Sequence, residues 1–329
     1  MSRVYRQSVL VALLQHPELG VTVSFFSIAL VFVALVPDKF LTPPTLYSIL
    51  TLAGELGVVS VGVAFLMISG EFNLAVGSIY ALVPMGVAYM MMAGVDMLLA
   101  SLIMLATAFS IGVVMGFITL RAGIPSFITS LGFMMFIRGI LLAVTGGFPV
   151  RMPQDHWLAL WLNGPLNEEG LRTSAIWLLF IALLLAFVLD WTPYGNWTYA
   201  VGGSASTARE LGVSVARVKV LNFGLSSLLA GLAGLIAFSR FKVVDPTLGI
   251  GLELEAITSA VLGGCLLSGG YGSIIGTLFG ALLVAMTRVG LVLAKAPAYW
   301  YQAFIGVLLI VATVINHFVV KRFVTPGVS

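Results

Sequence analysis

Long apolar runs dominate the chain. Val21–Val36, Val58–Ile68, Met97–Leu120 and Ile176–Leu189 contain no charged residue. A helix needs about 20 residues to cross a bilayer, and runs near that length recur with polar interruptions between them. They predict about ten membrane-spanning helices, near residues 20–37, 46–68, 77–94, 97–119, 124–145, 173–190, 219–239, 253–268, 272–294 and 299–320. The alternating pattern of a membrane β-barrel, in repeats of about ten residues, does not occur, so strands are not expected. Glycines blur the helix boundaries between 253 and 294.

Two interruptions are long. Residues 146–172, GGFPVRMPQDHWLALWLNGPLNEEGLR, mix proline, glycine, tryptophan and acids, which suits a short interfacial helix and a docking surface. Residues 191–218 contain STARELGV, a short helix candidate bounded by Gly203 and Gly212, with Ser204 as N-cap. Residues 1–19 read as a cytoplasmic lead-in. The apolar stretch Val9–Leu14 is short and is broken by His16, Pro17 and Glu18, so a cleavable signal is not expected.

Composition agrees with the pattern. Hydrophobic residues make up 60% of the chain and charged residues 9%, against roughly 25% charged in a soluble domain. The class is an all-α polytopic membrane protein. The net charge of +3 comes from scattered basic residues without interleaved aromatics, so a nucleic-acid partner is not expected. A single cysteine, Cys265, excludes an internal disulfide and a multi-cysteine metal site and reads as a packing residue. His16, His156 and His317 have no metal-binding spacing, and no nucleophile–base–acid set can be assembled. No catalytic or metal-binding residues are expected, which leaves a membrane enzyme without a reactive cluster. The Gly-rich VLGGCLLSGGYGSIIG lacks the Gly-Lys-Ser/Thr ending of a phosphate loop, so a nucleotide site would have to lie on another subunit.

Basic residues in short loops set orientation. With the N-terminus inside, inner segments carry Arg3, Arg6, Arg121, Arg209, Arg217, Lys219, Lys321 and Arg322. Outer segments carry Lys39, Arg151, Arg172, Arg240, Lys242 and Lys295. This bias favours cytoplasmic termini. Arg138 and Arg288 fall inside predicted helices, where they snorkel to an interface or pair in the interior.

Polar residues inside apolar segments are the candidate functional groups. Glu55 lies within LAGELGVVS. Glu71 and Asn73 lie in ISGEFNLAVGS (68–78), between Gly70 and Gly77. A bare charge in hydrocarbon costs at least a few kcal/mol, so Glu55 and Glu71 either hold the structure by hydrogen bonds or line a path. Phe72 beside them packs in the core or stacks on a solute. Asp245, Glu253 and Glu255 fall near an outer end, where acids suit a helix N-terminus.

SGEFNLAVGSIYAL (69–82) aligns with SGGYGSIIGTLFGA (268–281), pairing Gly70 with Gly269 and Gly77 with Gly276. Gly272, Gly276 and Gly280 recur at every fourth position, as do Asn73, Gly77 and Ala81, a spacing that lets helix backbones approach closely. A duplication of five helices would invert the second half, as in many transporters. The expected fold is therefore about ten helices in two inverted five-helix halves with broken Gly-rich helices.

Four stretches carry a resemblance: ISGEFNLAVGSIYAL, AGIPSFITSLGFMMFIRGI, YAVGGSASTARELGVSVARVKV and PTLGIGLELEAITSAVLGGCLLSGGYGSIIGTLFGALLVAMTRVGL. In this order they resemble the permease subunit of bacterial ABC importers for simple sugars, the ribose, xylose, arabinose, galactose and autoinducer-2 group. The resemblance covers nearly the whole chain, as one permease domain over 1–329: lead-in 1–19, first half 20–172 and second half 173–329. It implies a multi-pass protein of the bacterial inner membrane that pairs with a second permease, identical or paralogous. It implies a periplasmic solute-binding protein and a cytoplasmic ATP-binding subunit that carries the ATP and magnesium, with no cofactor in this chain. Ser204, Ala208, Arg209, Leu211, Gly212 and Val213 fall on the family's ATPase-coupling segment in the cytoplasmic loop 191–218. Asn73 stands where family members commonly carry Asp, which argues against proton coupling there. Nucleosides or branched-chain amino acids are the rival cargo, and an ion-coupled transporter is the rival class.

Overall fold

The computed structural model describes residues 17–297 and 299–323. The lead-in through His16 lies outside the described residues, as do the side chains of His317, Lys321 and Arg322. The described chain is nearly all helix. Helices α1 (Pro17–Leu35) and α2 (Pro37–Phe40) lead into α3 (Pro43–Ile68), α4 (Val76–Met92), α5 (Met97–Ala122) and α6 (Ser126–Thr145). After β1 (Val150–Arg151) come α7 (Trp157–Asn163), α8 (Thr173–Trp191), α9 (Pro193–Gly203), α10 (Ala205–Glu210) and α11 (Val215–Phe241). The described residues end with β2 (Val243–Val244), α12 (Leu252–Leu262), α13 (Ile274–Leu293) and α14 (Tyr299–Phe323).

Among the described residues, α3, α5, α6, α8, α11 and α13 are long and apolar enough to cross a membrane. Shorter apolar helical stretches are Ser24–Leu35, Val76–Met92 and Tyr299–Val314. The chain is a multi-pass, all-α membrane protein. Local chemistry sets several helix starts. Pro43 and Pro193 stand in first turns, where no amide partner is lost. Asp96, Thr192, Ser204 and Ser273 accept amide hydrogen bonds as N-caps. The Leu98 amide, together with His156, holds the exposed Asp96 carboxyl below the ordinary carboxylate range.

Helix α3 runs through the centre. Every side chain from Ala53 to Ile68 is buried, with α8, α11, α12 and α13 packed around it. Helices α5 and α11 lie antiparallel and in close contact, since a Cβ on Gly112 or Gly116 would meet Phe223 within 3.0 Å. The bundle therefore has two distinguishable ends. One carries residues 146–172, the start of α5 and the end of α11. The other carries α9, α10 and the start of α11.

Three expectations need correction. The helix expected over 253–268 stops at Leu262, because Gly263 and Gly264 let the chain leave the helix and cross the start of α13. At eleven residues α12 is about 16 Å long, short of a full crossing. Helix α9 was not expected; Thr192 and Pro193 start it inside what reads as a polar loop. A small antiparallel sheet exists, with Val150 opposite Val244. Strands of two residues show no alternation in a sequence, so this pairing leaves no pattern to read.

Candidate functional site: a glycine crossing and two buried ion pairs

The break expected in ISGEFNLAVGS is present. Helix α3 ends at Ile68, Ser69 caps it, and Gly70 adopts φ +83°. Only glycine takes that left-handed backbone without strain. Glu71, Phe72 and Asn73 then run outside any helix before α4 begins. The fully buried Asn73 serves both sides of its amide. Its Oδ1 accepts from the Ala75 amide at 3.0 Å, and its Nδ2 donates to Ser227 Oγ at 3.1 Å and Ser226 Oγ at 3.5 Å. The Phe72 amide donates to Ser126 Oγ at 3.1 Å, and its half-buried ring packs on the core. Glu71 Oε1 accepts from Lys219 Nζ on α11 at 2.6 Å.

The second half contributes a matching turn. Gly269 has φ +81°, and the Gly270 amide donates to the Ile68 carbonyl at 2.8 Å. The end of α9 enters the same point. A Cβ on Gly202 would sit 1.8 Å from Ile68 O, one on Gly269 2.7 Å from Gly70 Cα, and one on Gly270 2.6 Å from Gly203 Cα. Three chain segments thus cross backbone to backbone, and the two Ser-Gly turns aligned in the sequence touch each other. Tyr199 on α9 ties the crossing to the next turn, its hydroxyl donating to Gly272 O at 2.9 Å.

The other small-residue positions also sit at close approaches. A Cβ on Gly276 would lie 2.1 Å from Gly263 O, and one on Gly280 2.0 Å from Ser259 O, so α12 and α13 pack with backbones nearly in contact. Gly272 faces Cys265 and Ile68 at 2.7 Å. A Cβ on Gly77 would lie 2.3 Å from Gly249 O and 2.4 Å from Glu253 Oε2, so its neighbours are the loop before α12 and the first turn of that helix. Arg138 pins that loop. Its guanidinium donates to the carbonyls of Pro246, Leu248 and Gly77. Arg138 is half-buried and spends its guanidinium on backbone carbonyls. Arg288 lies 3.9 Å from Glu255 and over the ring of Tyr301. Glu253 and Glu255 occupy the first turn of α12.

Glu55, midway along α3, is buried in a polar set at the other end. Arg240 Nη2 on α11 donates to Oε2 at 2.9 Å, and Arg240 Nε lies 2.9 Å from Oε1, too oblique for a hydrogen bond. Asn163 Nδ2 donates to Oε1 at 3.2 Å and to Ile236 O at 2.9 Å. Arg172 Nη1 donates to the Asn163 carbonyl at 2.8 Å. The structure therefore does not bring the four path candidates together. Glu71, Phe72 and Asn73 line one break, and Glu55 belongs to a separate network.

The segment 204–213 is a surface feature with its own anchor. Ser204 Oγ accepts from the Thr207 amide at 3.3 Å and starts α10. Ala208 is buried in a small cluster with Val201, Val215 and Val218, and Val213 packs against it. Arg209 and Gly212 are exposed, and Leu211 is 77% exposed, an apolar side chain held outward at a turn.

Sequence reasoning missed Lys219, Arg240, Asn163 and Gly202. A buried carboxylate is commonly paired with a cation, and that is the available signal for the first two. Both basic residues also fall beside loops, where they contribute to the charge bias that sets orientation.

Comparison with known proteins adds the following. Residues 45–313 match the family described as the permease component of the branched-chain amino acid transport system. The chain is 32% identical over 301 residues to the ribose import permease protein of Bacillus subtilis, covering 91% of this chain and 92% of that one. It is 32% identical over 293 residues to the ribose import permease protein of Escherichia coli K12, covering 88% and 91%. It is 29% identical over 288 residues to the autoinducer 2 import system permease protein of Photorhabdus luminescens, covering 86% and 85%. No solved structure gives a significant match.

Proposed function

Because the chain belongs to this permease family, we propose that it forms, with a second permease, the path by which an ATP-driven importer brings a sugar or sugar-like solute into a bacterium. It is a transport subunit and not an enzyme. The observation that carries the sugar reading is the 32% identity to ribose import permeases of two bacteria over about nine-tenths of the chain. The family description names branched-chain amino acids, and these are the second reading. Uptake of labelled ribose by cells expressing the complete importer, competed by a panel of sugars, nucleosides and branched-chain amino acids, tests it. Competition by a sugar is the expected result; competition by leucine alone sinks the sugar reading.

In this proposal about ten helices cross the inner membrane in two inverted halves. Both termini are cytoplasmic, and residues 146–172 face the periplasm and a solute-binding protein. ATP and magnesium sit on a separate cytoplasmic subunit. Residues 204–213 engage that subunit, with Leu211 and Arg209 as the contacting side chains and Ala208 as the internal anchor. The tight glycine crossing supports this role, since a push on α10 reaches both broken turns through α9 without a compliant side chain between them. Glu55, Glu71 and Asn73 hold the wall of the path through buried partners rather than meeting the solute. Replacing Arg209 with Glu is expected to reduce co-purification of the ATPase subunit while insertion in the membrane stays normal. Co-purification at the wild-type level removes the coupling assignment.

A further inference from the structure

Two cavities share a wall at the end of the bundle that carries residues 146–172. One is an open apolar groove of about 620 Å³ between α7 and the first turns of α8, lined by Trp161, Leu166, Ile176, Trp177 and Phe180. The Trp177 indole donates to the Trp161 carbonyl at 3.0 Å and fixes its floor. The other, of about 500 Å³, is polar and contains Asp155, His156, Asn163, Arg172, Arg240 and Lys242. Leu160 and Pro165 line both, so the groove and the pocket are one continuous depression with an apolar and a cationic half.

The charges in the polar half do not balance. Arg240 is paired with Glu55, Lys242 with Asp155 and His156 with Asp96. Arg172 donates to a carbonyl and, among the described residues, has no carboxylate within ion-pair distance. One acceptor is also left over. Asn163 is 1% exposed, its Nδ2 is spent on Glu55 and Ile236, and its Oδ1 has no partner. A buried acceptor without a donor keeps its desolvation cost uncompensated, so this atom marks a missing hydrogen-bond donor. Trp157 and Trp161 project from α7 at the same place, 55% and 68% exposed, as aromatic residues do at a membrane–water boundary.

We propose that this depression binds one anionic glycerophospholipid. The phosphodiester neutralises Arg172, a headgroup hydroxyl donates to Asn163 Oδ1, and an acyl chain lies in the groove along Trp161 and Ile176. A free anion would leave the groove empty, and a neutral solute would leave Arg172 uncompensated. An anionic amphiphile satisfies both halves and the orphan acceptor. The site stands whatever solute the chain transports.

The test is native mass spectrometry of the full-length chain, purified in mild detergent from membranes that contain phosphatidylglycerol. One phosphatidylglycerol is expected to survive washing that removes bulk lipid. Arg172→Gln, and Ile176→Trp, which fills the groove, are each expected to lower the retained fraction about tenfold. Should either variant misfold, stripped wild-type protein is titrated with phosphatidylglycerol, phosphatidylethanolamine and glycerol phosphate while its melting temperature is followed. Stabilisation by phosphatidylglycerol alone upholds the proposal. Equal stabilisation by glycerol phosphate reduces the site to an anion pocket, equal stabilisation by phosphatidylethanolamine removes the charge argument, and no retained lipid with no shift removes the site.

Discussion

The two ends of the bundle are held together by different means. At the end carrying residues 146–172, buried side chains reinforce the close backbone approaches at Gly54 and Gly77: Arg240 and Asn163 converge on Glu55, and Arg138 gathers three carbonyls. At the opposite end, backbones meet directly at Gly70, Gly202, Gly269 and Gly270, with one ion pair, Glu71–Lys219, beside them. The carboxylates are almost equally hidden, 9% exposed at Glu55 and 11% at Glu71, so burial does not distinguish them. The number and stiffness of partners does. A guanidinium is a planar fork fixed by its geometry, whereas a lysine ammonium is a point charge on a flexible stem. Side-chain joints tolerate exchange of partners. A backbone crossing tolerates no added atom.

The adjacent glycines ending α9 separate the two kinds of joint most strongly. Gly202→Ala places a methyl 1.8 Å from Ile68 O, whereas a Cβ on Gly203 meets nothing closer than 4.0 Å. Gly202→Ala is expected to abolish recovery of folded protein, because the obstacle is backbone on two sides. Gly203→Ala is expected to fold normally. Size-exclusion profiles of the two detergent-purified variants decide it, and equal profiles would mean that the crossing is loose.

Next in size is the Glu55 network. Arg240→Met leaves a buried carboxylate with only Asn163 and should destabilise by about 3–5 kcal/mol. Converting Glu55 as well, in Glu55→Met/Arg240→Met, should recover most of that loss, since a well-packed apolar pair often matches a buried ion pair. Thermal denaturation of the single and double variants measures the coupling. A double variant as unstable as the single one would make the network a packing feature. Lys219→Met should cost less, about 1–3 kcal/mol, because Glu71 lies in a non-helical segment that can relax toward water. A larger loss than at Arg240 would reverse the ranking of the two ends.

The same contrast explains what could be read from the chain. Helices such as α5 and α8 follow their apolar runs closely, and Ser204 signals α10 by its capping chemistry. The break at Gly70 is visible because a charge and a glycine interrupt hydrocarbon. Arg240 was not visible as the partner of Glu55, since pairing depends on α11 lying along α3, which neither segment encodes locally. Gly202 looks like any glycine near a helix end until the turns of two distant segments are brought against it. The true end of α12 is hidden because Cys265, Leu266 and Leu267 continue the apolar run beyond the helix.

The smallest expected effect is at Asn73, where the two kinds of joint meet. Its side chain closes the start of α4 and reaches α11. Asn73→Asp keeps the acceptor for the Ala75 amide and loses the donor to Ser226 and Ser227. Serine hydroxyls rotate, so each can donate to the new carboxylate. The swap therefore exchanges hydrogen-bond direction rather than removing bonds, and the added charge lies at a helix N-terminus, where it is favoured. A loss of about 1 kcal/mol or less is expected. Asn73→Ala removes acceptor and donor together and should cost about 1–3 kcal/mol. Melting of the two variants, alone and with Ser226→Ala/Ser227→Ala, separates the contributions. If Asp is the more damaging substitution in wild-type background, the serines are not free to turn, and this joint is as unforgiving as the glycine crossing beside it.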